Sequence, residues 1–253
     1  IEAGGTYIGA NYKMIIEFAK NNNIDLIDVS HMLSFFKEQD LVLDNEIITQ
    51  KDWPSSKKNI FPEKFRNIMP WSIYRVLTKQ YNPLNSAGEW LDKKNLIYDI
   101  PFEQWLKDKG FSEDQIKLVY GINVSYGLDA KDVSTLLLLY RAAFSSDQKM
   151  IDDKVIGYTA LNGVSTFTDI MSSQLEKEIH FNKNVLSINS GRNEISIHCE
   201  DGSHYVADHV ICSVPLSVLR GILFHPALPK KQYEAIKNIP YQPMTQIYFR
   251  HKS

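Results

Sequence analysis

Three short stretches of this 253-residue chain combine residue types that can bring a backbone close to a bound group. Gly4-Gly5 precedes Thr6-Tyr7 in IEAGGTYIGA, Asn162-Gly163 precedes Ser165 and Thr166, and Ser213-Val214-Pro215 closes the apolar run HVICSVP. Glycine has no side chain to hold a ligand away. A helix N-terminus favours anionic or carbonyl groups, and the ends of parallel strands are where cofactors bind. Each stretch alone also reads as an ordinary turn. Their order and spacing along the chain carry the information.

Self-contained catalytic patterns are missing from the sequence. It has no GxSxG elbow, HExxH helix, Walker A loop or EF-hand loop. His198, Cys199 and His204 fall on an expected hairpin, where alternation sends neighbouring side chains to opposite faces, so no metal is expected there. Asp152-Asp153 and Glu200-Asp201 sit in turn-like stretches and read as solvated carboxylates.

The elements that must position these residues are legible in the pattern. YKMIIEFAKNNNIDLIDV reads as a short amphipathic helix (Ile15, Ile16, Phe18, Ala19), a stop at three asparagines, and a brief strand. The end of MLSFFKEQDLVLDN and the following EIIT form a hairpin pattern. From Trp53 to Arg141 the periodicity is helical, with Ser112 and Gln115 spaced as a capping box and TLLLLYRAAF as a buried helix. The stretch GYTALNGVSTFTDIM reads as a glycine turn entering a helix. Glu194–Cys199 and His204–Ala207 alternate around Asp201-Gly202, a hairpin signal. HVICSVP reads as a strand buried on both faces, and a helix and a final strand follow.

Composition excludes several classes. With 28 basic and 30 acidic residues the net charge is -2, and no basic stripe is present, so nucleic acid is not an expected partner. No apolar run approaches the roughly 18 residues a membrane span requires. The two cysteines, Cys199 and Cys212, form no CxxC pair, and a reducing, cytoplasmic compartment is expected.

In series, these stretches resemble the flavin-dependent amine oxidase family, which includes monoamine oxidases, polyamine oxidases and L-amino-acid oxidases. EAGGTYIG matches its E/D-x-G-G-x-Y/W-I/V-G segment and DVSTLLLLYR its VSALxxL-like helix. LNGVSTFTDIM matches its glycine turn and helix, NKNVLSI its adenine-side strand, and DHVICSVPLSVLRGILFHPALPKKQYEAIKNIPYQP its D-x-V-I-x-x-x-P, F-x-P-x-L-P and A-I pieces. The resemblance implies a mixed α+β and α/β fold, in which a discontinuous, partial FAD-binding α/β domain is interleaved with a mainly helical substrate domain carrying a mixed sheet. The implied boundaries are 1–26 and 162–219 for the FAD-binding domain, and 27–161 and 220–253 for the substrate domain. The family's GxGxxG unit is expected before Ile1 and its C-terminal flavin motif beyond Ser253, so the chain reads as an internal fragment that holds flavin weakly on its own.

Residue by residue, the resemblance implies FAD as cofactor. Gly4, Gly5, Thr6 and Tyr7 would run beside the isoalloxazine ring. The backbone of Val185 would hold the adenine, and Ser213 and Pro215 would flank the diphosphate or ribitol. Ser165 and Thr245 would line the substrate cavity. Many family members carry a lysine on the strand after IPYQP, whereas Thr245 and Gln246 stand there in this chain. The implied reaction is hydride removal from an amine-bearing carbon, with O2 as acceptor and H2O2 as product. A desaturase or protoporphyrinogen-oxidase-like reaction, and a non-catalytic domain that has lost flavin, are the rival readings.

Overall fold

Alternating or periodic apolar residues become strands and helices here only where a partner surface exists, and the described residues build three small sheets and a helical block. The structure is a computed structural model that describes residues 5–32, 38–122, 126, 129–147 and 155–241. Contacts divide it into two units, Ile1–Leu175 and Glu176–Ser253.

The first unit opens with β1 (Ile8–Gly9), α1 (Lys13–Asn21) and β2 (Leu26–Asp28). It later adds β5 (Gly157–Ala160) and α7 (Ser165–Ser173). The sheet order is β1-β5-β2, and both pairings are antiparallel. Ile8, Ala19, Ile24, Ala160 and Phe167 are buried in its core, and Phe18 stacks on Phe167 at 6.0 Å. The chain leaves this sheet and returns to it at one place. The Val29 amide donates to the Gly157 carbonyl (3.0 Å), and the Ile156 amide donates to Ser30 Oγ (3.1 Å).

Between departure and return lies the helical block. β3 (Leu41–Leu43) and β4 (Glu46–Ile48) form the expected hairpin. Its turn residues Asp44 and Asn45 both take positive φ, at 50° and 64°, as a two-residue hairpin turn requires. The helices α2 (Glu63–Arg66), α3 (Pro70–Gln80), α4 (Phe102–Asp108), α5 (Glu113–Tyr120) and α6 (Thr135–Asp147) then pack around a main core, and Leu136, Leu139 and Ala143 of α6 form a smaller cluster with Leu84. Trp53, Phe61, Ile73, Leu106 and Val119 are fully or almost fully buried in the main core. Burying a large apolar side chain contributes about 1.5–3 kcal/mol, so this cluster dominates the stability of the block. Tyr120 stands edge-on to both Tyr74 (5.7 Å) and Phe102 (5.4 Å). The buried Asn59 is satisfied: its Nδ2 donates to the carbonyls of Trp53 and Arg66, and its Oδ1 accepts from the Phe61 amide. Ser112 caps α5 and Gln115 returns the bond, so the capping box forms as its spacing predicts.

In the second unit β6 (Val185–Ser190), β7 (Ile195–Cys199), β8 (His204–Ala207) and β9 (Leu223–His225) make a sheet of order β8-β7-β6-β9. The β7–β8 turn holds Gly202 at φ 80°. Asp201 accepts from the hydroxyl and amide of Ser203 and pairs with Lys183 at 2.5 Å. α8 (Leu216–Leu219) and α9 (Lys230–Asn238) complete the unit.

Two expectations are corrected. HVICSVP is not a strand: residues 209–215 have no regular structure, and Ile211 is 95% exposed. An apolar run becomes a buried strand only when strands flank it, and none does so among the described residues. GYTA, read as part of a turn, is instead the central strand β5. β5 ties the opening segment to residues 157–160. The final strand expected after the tail helix lies outside the described residues.

Candidate functional site: one end of the three-stranded sheet

The antiparallel pairing of β1 with β5 decides where the opening glycines lie. Ile8 faces Tyr158 and Gly9 faces Gly157, so the chain before β1 runs toward the end of β5 that leads to Asn162-Gly163. Leu26 faces Ala160, and the Leu161 amide donates to the Asp25 carbonyl (2.9 Å), so β2 begins at that same end. Gly5 and the Gly163 turn thus flank one end of the sheet.

Both glycines are left-handed there, Gly5 at φ 69° and Gly163 at φ 88°. An L-residue pays about 1–2 kcal/mol in that region, so glycine is the residue for it. A Cβ built on Gly5 would meet no described atom within 4 Å, so the space beside its backbone is open. Gly163 turns the chain into α7, whose first residue is Ser165. Ser165 and Thr6 are both exposed. Gly4 lies outside the described residues.

Tyr7 is held differently from its neighbours. Its hydroxyl donates to the Ile156 carbonyl at 2.7 Å. Partial burial, and then the nearby Tyr12, push its ionisation above the usual tyrosine value. Its ring lies on Gly157, where a Cβ would come within 2.5 Å of the ring. Gly157 is therefore the glycine that seats Tyr7, and the sequence reading missed it. The signal was present only as a glycine inside a strand, a mark of close approach by another group.

In the second unit, Val185 begins β6 opposite Cys199, and the ladder slips between Val185 and Ser187. Such a slip leaves backbone groups outside regular pairing. Ser213 and Pro215 are exposed, and Pro215 stands immediately before α8. The Leu216 amide donates to the Tyr241 hydroxyl (3.0 Å). Thr245 lies outside the described residues. His198 and His204 face each other across β7 and β8 with rings 6.1 Å apart, while Cys199 turns inward and is buried. Among the described residues no three metal-ligating side chains converge, and no helix is long and apolar enough to cross a membrane.

Comparison with known proteins places this architecture. Solved structures of similar fold include putrescine oxidase bound to putrescine, with 18% identity and a TM-score of 0.63. Cyclohexylamine oxidase from Brevibacterium oxydans gives 15% identity and a TM-score of 0.66. Each alignment covers 94% of this chain and 52% of the other, so the chain spans about half the length of these oxidases. Among sequence relatives, Probable polyamine oxidase 5 of Arabidopsis thaliana is 38% identical over 76 residues, which are 28% of this chain and 14% of that protein. An L-amino-acid oxidase of Trimeresurus stejnegeri is 29% identical over 92 residues, or 35% of this chain and 18% of that protein. The fold is that of FAD amine oxidases. Residues 46–253 match the family described as flavin containing amine oxidoreductase, and the chain belongs to that family.

Proposed function

We propose that this chain is part of an FAD-dependent oxidase that acts on the C–N bond of a small amine. One observation carries the reading: two left-handed glycines, Gly5 and Gly163, flank the same end of the β1-β5-β2 sheet, with open space beside Gly5. A planar ring needs such a backbone edge free of side chains, so these residues fit a flavin. In the proposed arrangement Gly4, Gly5 and Thr6 lie along the isoalloxazine, and Tyr7 anchors that segment through its bond to Ile156. The backbone of Val185 takes the adenine, and Ser213 and Pro215 flank the diphosphate or ribitol. Ser165 and Thr245 line the substrate cavity. In the whole protein, 1–26 with 162–219 belong to the flavin-binding domain and 27–161 with 220–253 to the substrate domain.

Bound flavin would supply the hydride acceptor, with O2 taking the electrons onward to H2O2. The chain's own residues orient and exclude. No acid–base dyad is needed on it, because a neutral amine gives up its hydride directly and water then hydrolyses the resulting imine. The small residues at 4–6 let the ring approach, and the helical block supplies apolar walls.

The test uses the intact protein. Anaerobic addition of primary, secondary and poly-amines is expected to bleach the oxidised flavin band near 450 nm, and air is expected to restore it with one H2O2 per turnover. A protein that binds flavin but is bleached only by substrates lacking an amine would overturn the amine reading. A protein that binds no flavin would overturn the oxidase reading altogether.

A further inference from the structure

A cavity lies in the helical block, between α3 and α6, and its described lining includes none of the residues assigned to flavin or amine. It measures about 580 Å3 and is lined by Tyr74, Arg75, Lys79, Tyr126, Leu138 and Arg141, among others. Among the described residues, all the charged ones that line it are cationic. None of the three forms an ion pair among the described residues.

The two guanidinium groups are held in place. Arg75 Nε donates to the Tyr74 hydroxyl at 3.1 Å, which leaves the tyrosine proton available as a donor. The guanidinium carbon of Arg141 lies over the rings of Tyr126 (5.9 Å) and Phe144 (5.4 Å). Aromatic stacking uses the face of a guanidinium and leaves its N–H edge for a bidentate acceptor. Ser145 and Ser146 already donate their hydroxyl protons to carbonyls one turn back, so the charged groups supply the polarity that remains. Leu138 and the tyrosine rings add apolar wall.

We propose that this cleft binds a small organic polyanion, one that presents carboxylate or phosphate groups beside an apolar part. Two guanidinium groups with N–H donors and the Lys79 ammonium match an oxyanion, and charge-assisted bonds of this kind are about twice as strong as neutral ones. An amine substrate bears the opposite sign to such a ligand and is repelled here. The cleft is therefore a separate ligand site, and the proposal does not rest on the flavin reading.

The experiment is calorimetric titration of the intact protein with inorganic pyrophosphate in one arm and citrate in the other. Sodium chloride at equal ionic strength is the control. Saturable binding is expected in at least one arm, and the arms distinguish phosphate from carboxylate. Arg141→Gln and Arg75→Gln should each weaken it at least tenfold. Arg141→Lys keeps the charge but loses the planar fork, and should weaken it severalfold. If Arg141→Gln does not fold, as judged by circular dichroism, the exposed Lys79→Gln variant decides, with a severalfold loss expected. No saturable heat in either arm, or affinity unchanged in the folded variants, overturns the proposal. Flavin content and turnover do not enter the readout, so this result is independent of the oxidase test.

Discussion

Replacing Gly5 separates a backbone requirement from a cofactor requirement. Gly5 sits at φ 69°, and a Cβ there meets no described atom within 4 Å. Collision within the chain thus adds nothing, and the cost of Gly5→Ala is the left-handed conformation itself, about 1–2 kcal/mol. Asparagine tolerates that conformation better than alanine, so Gly5→Asn should cost less in stability. Valine, branched at Cβ, should cost the most. If a flavin ring fills the open space, every one of these side chains also intrudes on it. Overpacking of a tight site costs about 1–3 kcal/mol, which is about a 5- to 140-fold loss in flavin affinity. The assay measures thermal unfolding of the flavin-free protein and fluorescence titration with FAD for all three variants. The expected stability order is asparagine, alanine, valine, with flavin affinity reduced in all three. Unchanged stability in Gly5→Ala would refute the conformational argument. Wild-type affinity in Gly5→Asn and Gly5→Ala would refute the cofactor role of the segment.

Gly157→Ala should lower stability by about 1–3 kcal/mol, because its Cβ would lie within 2.5 Å of the Tyr7 ring; the double variant Gly157→Ala with Tyr7→Ala should recover part of the loss in chemical denaturation. Thr135 is fully buried at the start of α6, and its hydroxyl has no partner among the described residues. Thr135→Val keeps the shape and removes the unpaired group, so denaturant unfolding should show it neutral or more stable by up to about 1 kcal/mol. Asp201 is held well below the usual carboxylate range by the Lys183 ammonium and then by Ser203. A lowered folded value stabilises the fold above the unfolded carboxylate value near pH ~4, and this is lost as pH falls further. The stability difference between wild type and Asp201→Asn should therefore shrink below about pH 4, and a difference that grew on acidification would contradict the assignment.

Local chemistry made some of the fold legible, and distance hid the rest. Ser112 and Gln115 are three residues apart, and Asp44-Asn45 and Asp201-Gly202 carry their own turn preference, so the cap and both hairpins could be read directly. The buried helix α6 was likewise plain from its run of leucines. β5 was not, because GYTA neither alternates nor runs apolar; it is a strand because β1 and β2 close on it from either side. HVICSVP erred in the other direction, since apolar composition marks a segment for burial without supplying the neighbours that bury it. In the candidate site, the opening glycines and Gly163 stood out as turn residues. The need for Gly157 comes from a tyrosine ring 150 positions earlier in the numbering, near the 149-residue span of the Tyr7–Ile156 bond, and no local pattern reports that.

The paired bonds at Val29–Gly157 and Ser30–Ile156 make the helical block a cassette with joined ends. Its entrance and exit touch although 126 positions separate Ser30 from Ile156. The entropy of closing such a span grows only slowly with length, by about 0.6 kcal/mol for each doubling. Residues can therefore be gained or lost inside the cassette with little effect on the sheet that carries it. The glycine-flanked sheet end can stay fixed while the helical block diversifies in size, wall chemistry and pockets.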